Sequence, residues 1–318
     1  MSFKVLIPQD ITDAGKDYLV KRGYEVIIGT DSSVETICKE VVDCDAILAR
    51  TALYPKKVME AGKKLKVISR YGAGTDNIDI NSATELGIQI TNAPVANCNS
   101  VAEHTIALIL ACASNIAYMD NQVRKGNWEE RNRTKSIEVE NKVLGLIGLG
   151  RIGRSVASKA YNGLGMKVIG YDPYISSDNR IENIEIVDDI NEVYKKADFI
   201  SLHIPATAET KGTVNGEAFR IMKNTAYLIN CARGEIVNED DLYDALTSNQ
   251  IKGAAIDVMC QEPPVSNHPL FELNNLIFSP HNGALTVEAM DRMGIHAAMG
   301  IDEVLTGLKP TWPVNIIK

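Results

Sequence analysis

Six cysteines are scattered through 318 residues without a CxxC pair or a dense framework. That excludes a disulfide-stapled scaffold and points to reduced, individually buried thiols. The five histidines show no ligand spacing either, so no metal site is expected. Basic charge is scarce: 33 Lys and Arg face 41 Asp and Glu, a formal net charge of -8 with no basic stripe to offset it. Nucleic acid and anionic membrane surfaces are thereby disfavoured as partners. A small anionic ligand would need a local arginine cluster instead of a global field. Long apolar runs are missing as well. The N-terminal stretch has no apolar segment of signal-peptide length. The most apolar helical segment, Thr105–Tyr118, is too short to cross a bilayer. A cytoplasmic location is the resulting expectation.

What is present is an alternation of strand and helix in two blocks, the signature of α/β layers on parallel sheets. Short apolar runs at Lys4–Ile7, Glu25–Ile28, Ala46–Leu48, Val67–Ser69 and Ile88–Thr91 read as the strands of the first block. Val143–Gly148, Val168–Tyr171, Phe199–His203, Ala226–Asn230, Gly253–Asp257 and Leu276–Ser279 read as those of the second. A helical run from Ser100 to about Lys125 separates them, opened by a capping box at Ser100-Val101-Ala102-Glu103. Val287–Leu305 is again helical. With no repeat or flexible linker, the pattern divides into one domain at 1–99 and 287–318 and a second at 100–286.

Gly148-Leu149-Gly150-Arg151-Ile152-Gly153 follows a predicted strand and opens a predicted helix, and Asp172 stands 19 positions after Gly153. Gly148 permits the tight turn, Gly150 lets backbone approach a pyrophosphate, and Gly153 brings helix close to strand. The helix N-terminus adds unpaired N–H groups for phosphate. Asp172 suits ribose hydroxyls and repels a 2′-phosphate, so NAD is expected over NADP.

Three further residues each follow a predicted strand: Arg233 in Asn-Cys-Ala-Arg-Gly, Glu262 before Pro263-Pro264, and His281 in Pro-His-Asn-Gly. Singly each is more readily a surface ion pair or a packing residue. Together, beside a dinucleotide fingerprint, they supply an imidazole able to move a proton near neutral pH, a carboxylate to orient it and a planar fork for a substrate carboxylate. Strand ends are where open α/β sheets bind ligands.

At these residues the chain resembles the D-isomer-specific 2-hydroxyacid dehydrogenases. Tyr71-Gly72-Ala73-Gly74-Thr75-Asp76-Asn77, Asn92-Ala93-Pro94, Ser100-Val101-Ala102-Glu103-His104 and Pro280-His281-Asn282-Gly283-Ala284 carry the likeness beside the motifs above. The resemblance implies a Rossmann nucleotide-binding domain inserted into a flavodoxin-like substrate domain, with a cleft that closes between them. It implies NAD as cofactor and a small anionic 2-hydroxy or 2-oxo acid as substrate. Arg233, Glu262 and His281 would be catalytic. Gly148, Gly150, Arg151, Ile152, Gly153, Asp172, Cys231, Ala232, Asp257 and Gly283 would bind the cofactor. The Ala73-Gly74 backbone would bind the substrate carboxylate, and a homodimer would form through the nucleotide domain. Arg50 and Arg70, each after a first-block strand, add the positive charge expected of the family's phosphoglycerate-oxidising branch. Their alternative is a structural ion pair.

Two departures stand out. Serine feedback through the C-terminal regulatory domain of many members is not expected of these 318 residues. Ser136 replaces a usual glycine, which is expected to alter a crossover strand. Hydroxypyruvate or glyoxylate reduction and an NADH-responsive corepressor-like module remain open alternatives.

Overall fold

The computed structural model describes residues 2–317 and divides into two compact units, Met1–Cys98 with Ala284–Lys318, and Asn99–Gly283. In the first, β1 (Lys4–Ile7), β2 (Glu25–Ile28), β3 (Ala46–Ala49), β4 (Val67–Arg70) and β5 (Gln89–Thr91) alternate with α1 (Asp13–Lys21), α2 (Val34–Glu40), α3 (Lys56–Ala61) and α4 (Ile80–Glu85). The strands pair in parallel in the order β2-β1-β3-β4-β5, the flavodoxin-like order, whose direction reverses between β1 and β3. Central strands of such a sheet are covered on both faces, which is why Ala46–Ala49 is buried throughout without polar alternation.

The second unit begins with α5 (Cys98–Ala113) and α6 (Ile116–Arg124), where a single helix from Ser100 to Lys125 was expected. The two are bent by 59°. Asn115, between them, takes the left-handed conformation at φ 52° and its side-chain amide donates to Lys135 O at 3.1 Å. Asparagine tolerates that conformation at low cost, so apolar periodicity continues across a break it does not reveal. Ser100 is not the first residue of the helix, where a capping box was expected. The helix starts at Cys98, Ser100 is buried inside it, and the Glu103 carboxylate is engaged by Asn99 and Lys159. Among the described residues no single helix is long and apolar enough to cross a membrane. No crossover strand forms at Ser136; its hydroxyl instead donates to Ser114 O at 3.0 Å.

Beyond that segment, β6 (Val143–Ile147), α7 (Arg151–Leu164), β7 (Lys167–Tyr171), β8 (Glu185–Ile186), α8 (Ile190–Lys196), β9 (Phe199–Leu202), α9 (Gly216–Ile221), β10 (Tyr227–Asn230), α10 (Glu239–Thr247), β11 (Gly253–Ile256) and β12 (Leu276–Phe278) form a second all-parallel sheet. Its order, β12-β11-β10-β9-β6-β7-β8, is doubly wound, with the reversal between β6 and β9. Side chains cap the connecting helices: Asp189 accepts from Asn191 N at the start of α8, and Asn238 accepts from Asp240 N and Asp241 N at the start of α10. Buried Phe199 and Tyr227 stack at 5.3 Å on one face of the sheet. Each fully buried aliphatic side chain beneath the strands contributes about 1.5–3 kcal/mol.

The chain then returns to the first unit through α11 (Val287–Leu305), whose Ala297, Ala298 and Ile301 are fully buried. Gly15 of α1 faces Gly294 of α11 so closely that a Cβ at Gly15 would lie 2.9 Å from Gly294 Cα. The C-terminal segment pairs along β5: Val314 N donates to Ile90 O, and the buried Asn315 side chain bonds Ile90 N and Ile88 O.

Candidate active site

The glycine loop sits at the reversal point of the second sheet, at the carboxyl end of β6. Gly148 has φ +99°, and a Cβ there would lie 2.5 Å from His203 O. At Gly153 a Cβ would lie 2.2 Å from Gly148 O, so the first turn of α7 folds directly onto the loop. Gly150 differs, since its Cβ would meet nothing within 4 Å. It caps α7 without any side-chain hydrogen bond, leaving the helix's first N–H groups for an external acceptor. Arg151 lies exposed at the start of that helix, while Ile152 packs against the core. Asp172, at the end of β7, accepts Leu149 N at 2.9 Å and Tyr174 N at 3.0 Å, tying the glycine loop to the neighbouring strand. A cavity of about 800 Å³ opens beside it, lined among others by Tyr171, Pro173, Ile204 and Thr210. Open space over Gly150, orphan amides at the helix start and a fixed carboxylate at the adjacent strand end fit a dinucleotide.

Farther along the same edge, β10 leads into the Cys231–Arg233 loop. The buried Asn230 side chain spans it, accepting from Ala232 N at 3.0 Å and donating to Arg233 O at 2.9 Å. Arg233 therefore leaves the strand end on a backbone held by an internal amide. Burial pushes the Cys231 thiol up to about 12, so it is protonated near neutral pH and a poor nucleophile.

Glu262 and His281 meet as the sequence suggests: His281 Nδ1 lies 2.6 Å from Glu262 Oε2, with the imidazole 49% exposed. The other carboxylate oxygen, Oε1, accepts Met259 N at 3.1 Å. Burial raises the Glu262 pKa, but the His281 hydrogen bond and charge, with the Met259 N–H, outweigh it and hold the carboxyl below its usual range. The partner of the imidazole is therefore an anion near neutral pH. Met259, Pro263, Pro264, Phe271 and Phe278 wall an apolar recess of about 430 Å³ against this pair.

Asp257 organises the loop that carries His281. Almost fully buried, its carboxylate accepts the Ser279 hydroxyl at 2.6 Å and the N–H groups of Asn282 and Gly283 at 3.0 Å each, with His104 Nε2 at 3.3 Å. Its backbone oxygen accepts His281 N at 2.7 Å. Burial alone would raise this carboxyl, yet the donors win and its pKa lies below the usual value. Asp257 was expected to bind cofactor; in this structure its side chain holds the loop. Nothing in the sequence indicated the parts played by His104 and Ser279: His104 lies in the Ser100–His104 motif, but nothing in that motif pairs it with a serine and an aspartate far along the chain.

In the first unit, Arg50 and Arg70 extend from the carboxyl ends of β3 and β4. Arg50 lies at the reversal point of that sheet and donates to Asp10 O at 3.0 Å. Arg70 folds back onto Tyr71 O. Among the described residues, the N–H groups of Ala73 and Gly74 have no acceptor.

Gly150→Ala should keep the wild-type melting temperature while losing at least ~10-fold in dinucleotide affinity, whereas Gly153→Ala should fail to fold stably; calorimetry and fluorescence titration read the two. Asp257→Asn should cost about 1–3 kcal/mol near neutral pH by leaving buried donors unmatched. Asp257 has a depressed folded pKa, so its contribution is complete above the ordinary carboxylate range and is lost as pH falls through the folded value. Urea unfolding across acid pH should therefore show a shallower loss of stability in the variant than in the wild type.

Residues 106–283, more than half of the chain, match the sequence model described as D-isomer specific 2-hydroxyacid dehydrogenase, NAD binding domain. A D-3-phosphoglycerate dehydrogenase of Methanocaldococcus jannaschii is 43% identical over 306 residues, 96% of this chain and 58% of that protein. One from Archaeoglobus fulgidus is 40% identical over 315 residues, 98% of this chain and 59% of that protein. The chain thus spans less than two thirds of the length of either relative. Among solved structures, the TT0316 protein of Thermus thermophilus aligns with a TM-score of 0.91 at 31% identity, covering 98% of this chain and 100% of that one. The acyclic imino acid reductase Bsp5, in complex with NADPH and D-Arg, aligns with a TM-score of 0.87 at 29% identity, over 98% of this chain and 100% of that one. With that match laid over the glycine loop, the Asn230–Arg233 turn and the Asp257-bound loop, the chain belongs to the D-isomer specific 2-hydroxyacid dehydrogenase family, and its second unit carries the family's NAD-binding domain.

Proposed function

We propose that this chain is an NAD-dependent oxidoreductase interconverting a D-2-hydroxy acid and its 2-oxo acid, with 3-phosphoglycerate and 3-phosphohydroxypyruvate as the pair. The observation that carries the reading is the 2.6 Å His281–Glu262 contact at the carboxyl edge of the NAD-binding sheet. Bound NAD supplies a hydride acceptor for C2 of the hydroxy acid. His281 Nδ1 is committed to Glu262, so Nε2 is the atom that takes the C2 hydroxyl proton and returns it in the reductive direction. The anionic Glu262 stabilises the imidazolium formed. Arg233 binds the substrate carboxylate through its planar fork and polarises the C2 oxygen. Asp172 favours NAD over NADP by opposing a 2′-phosphate.

The phosphorylated substrate is supported by two arginines at adjacent strand ends of an acidic protein, and by similarity to D-3-phosphoglycerate dehydrogenases at about 40% identity. Arg50 and Arg70 are assigned to the phosphate, and the acceptor-free amides of Ala73 and Gly74 to the carboxylate. Serine biosynthesis, a cytoplasmic location and a homodimer through the nucleotide domain complete the proposal. Exposed Ile116, Val123 and Trp128 support an apolar contact in the α5–α6 region.

NAD(H) absorbance across 3-phosphoglycerate, its 2-oxo product, hydroxypyruvate, glyoxylate and pyruvate tests the substrate. Preference for the phosphorylated pair is expected, with Arg50→Ala or Arg70→Ala raising KM at least ~10-fold. Preference for the unphosphorylated acids transfers the chain to the reductase branch, and tight NADH binding without turnover favours a binding module.

His281 itself has φ 51°. Asparagine, whose short polar side chain can hydrogen-bond locally, accepts this left-handed conformation at lower cost. His281→Asn should therefore retain or slightly raise the melting temperature while turnover falls about 10²–10⁴-fold. Unchanged turnover would remove His281 from the chemistry.

A further inference from the structure

The loop Ser279–Gly283 is held by more than its own strands. His104, on α5, places Nε2 2.9 Å from Ser279 Oγ and 3.3 Å from Asp257 Oδ1. Ser279 Oγ already donates its proton to Asp257 Oδ1 at 2.6 Å. The serine oxygen can therefore only accept from His104, so His104 carries a proton on Nε2. The order of donation is His104 to Ser279 to Asp257, with Asp257 gathering the N–H groups of Asn282 and Gly283 and, through its carbonyl, that of His281. The imidazole also packs flush on the loop. A Cβ at Gly283 would lie 3.2 Å from His104 Cδ2 and 3.0 Å from Asp257 Oδ2.

We propose that His104 is a positioning residue for His281, fixing the loop on which the proton-transferring imidazole sits; this rests on the dehydrogenase reading above. The physical need is local. His281 occupies a left-handed backbone conformation that a histidine does not favour, and the loop must be over-determined to keep it. Asp257 supplies the ties from below, and His104 adds one from a helix outside the strand ends. Asp257 faces the ring from the end of β11, with the Glu262–His281 pair beyond it. The Cys231 thiol near Asp257 stays neutral, pushed up to about 12. On His104's own helix, Glu103 is engaged by Asn99 and Lys159.

Three variants separate positioning from packing: His104→Phe keeps ring bulk without a donor, His104→Gln keeps a donor, and His104→Ala keeps neither. The first readout needs no substrate. In ¹⁵N-labelled apoprotein, the His281 Nδ1 proton shared with Glu262 gives a downfield resonance, assigned by its absence in His281→Asn. It should broaden or vanish in His104→Phe and His104→Ala and persist in His104→Gln. The second readout is kinetic. In His104→Phe, kcat should fall about 10- to 100-fold, with the Kd for NADH changed less than about threefold, and His104→Gln should recover most of the loss. An unchanged resonance with wild-type kcat in His104→Phe overturns the proposal. So does equal impairment of the Phe and Gln variants in step with lowered melting temperatures, which marks a packing role alone. If the wild type turns over no substrate, the resonance still decides the positioning claim while the dehydrogenase reading fails separately.

Discussion

A single buried carboxylate sets the geometry of the candidate site. Asp257 lies just past β11, almost without solvent contact, and an isolated charge there would be prohibitive. It is tolerated because a hydroxyl, two backbone amides and an imidazole nitrogen surround it. Those donors belong to the segment that bears His281 and to α5. Satisfying the charge and shaping the loop are therefore one event. Remove the carboxylate and the loop loses the acceptor that reconciles Ser279, Asn282 and Gly283; remove the loop and the charge is stranded.

The parallel sheet explains why the other functional groups gather on the same edge. In a parallel sheet every strand exits on one side, so the glycine loop after β6, Asp172 after β7, Arg233 after β10, Glu262 beyond β11 and His281 beyond β12 share an edge although they are far apart in sequence. The reversal between β6 and β9 opens room there for a ligand. The first unit repeats the logic in its own order, with Arg50 and Arg70 after adjacent strands and the Ala73–Gly74 amides just beyond. Most of these residues thus lie within a few positions of a strand end, with Arg70 the last residue of β4 itself and Glu262 farther out on the loop after β11.

This arrangement also governs what was legible in the sequence. Buried parallel strands are short apolar runs ended by glycine or polar residues, and β3 and β6 stand where such runs lie. The two-residue β8 escaped because Glu185–Ile186 is too short to carry a period. The bend at Asn115 escaped because a left-handed asparagine leaves the flanking apolar pattern intact. The capping pattern at Ser100 misled: hydroxyl and carboxylate had the right spacing, but the helix had already begun at Cys98. At the site, Glu262 and His281 were legible only jointly, as a carboxylate and an imidazole following strands of a sheet that also carries the glycine fingerprint. His104 and Ser279 were not, since a histidine on a helix and a serine after a strand gain meaning only when the fold sets both against Asp257.

Cofactor preference rests on a different kind of constraint. Asp172 spends one bond from each carboxylate oxygen on Leu149 N and Tyr174 N, so the charge is anchored instead of swinging on a free side chain. A carboxylate oxygen accepts more than one hydrogen bond, and each retains capacity for a hydroxyl donor. A ribose diol meets that capacity with two O–H groups. A 2′-phosphate offers only acceptors and negative charge, at a position where the anion is unable to retreat without releasing the glycine loop it holds. On the reading proposed above, the same two bonds that hold the glycine loop would thereby oppose a phosphorylated cofactor, and relaxing that preference would require a residue that still receives Leu149 N–H without the charge.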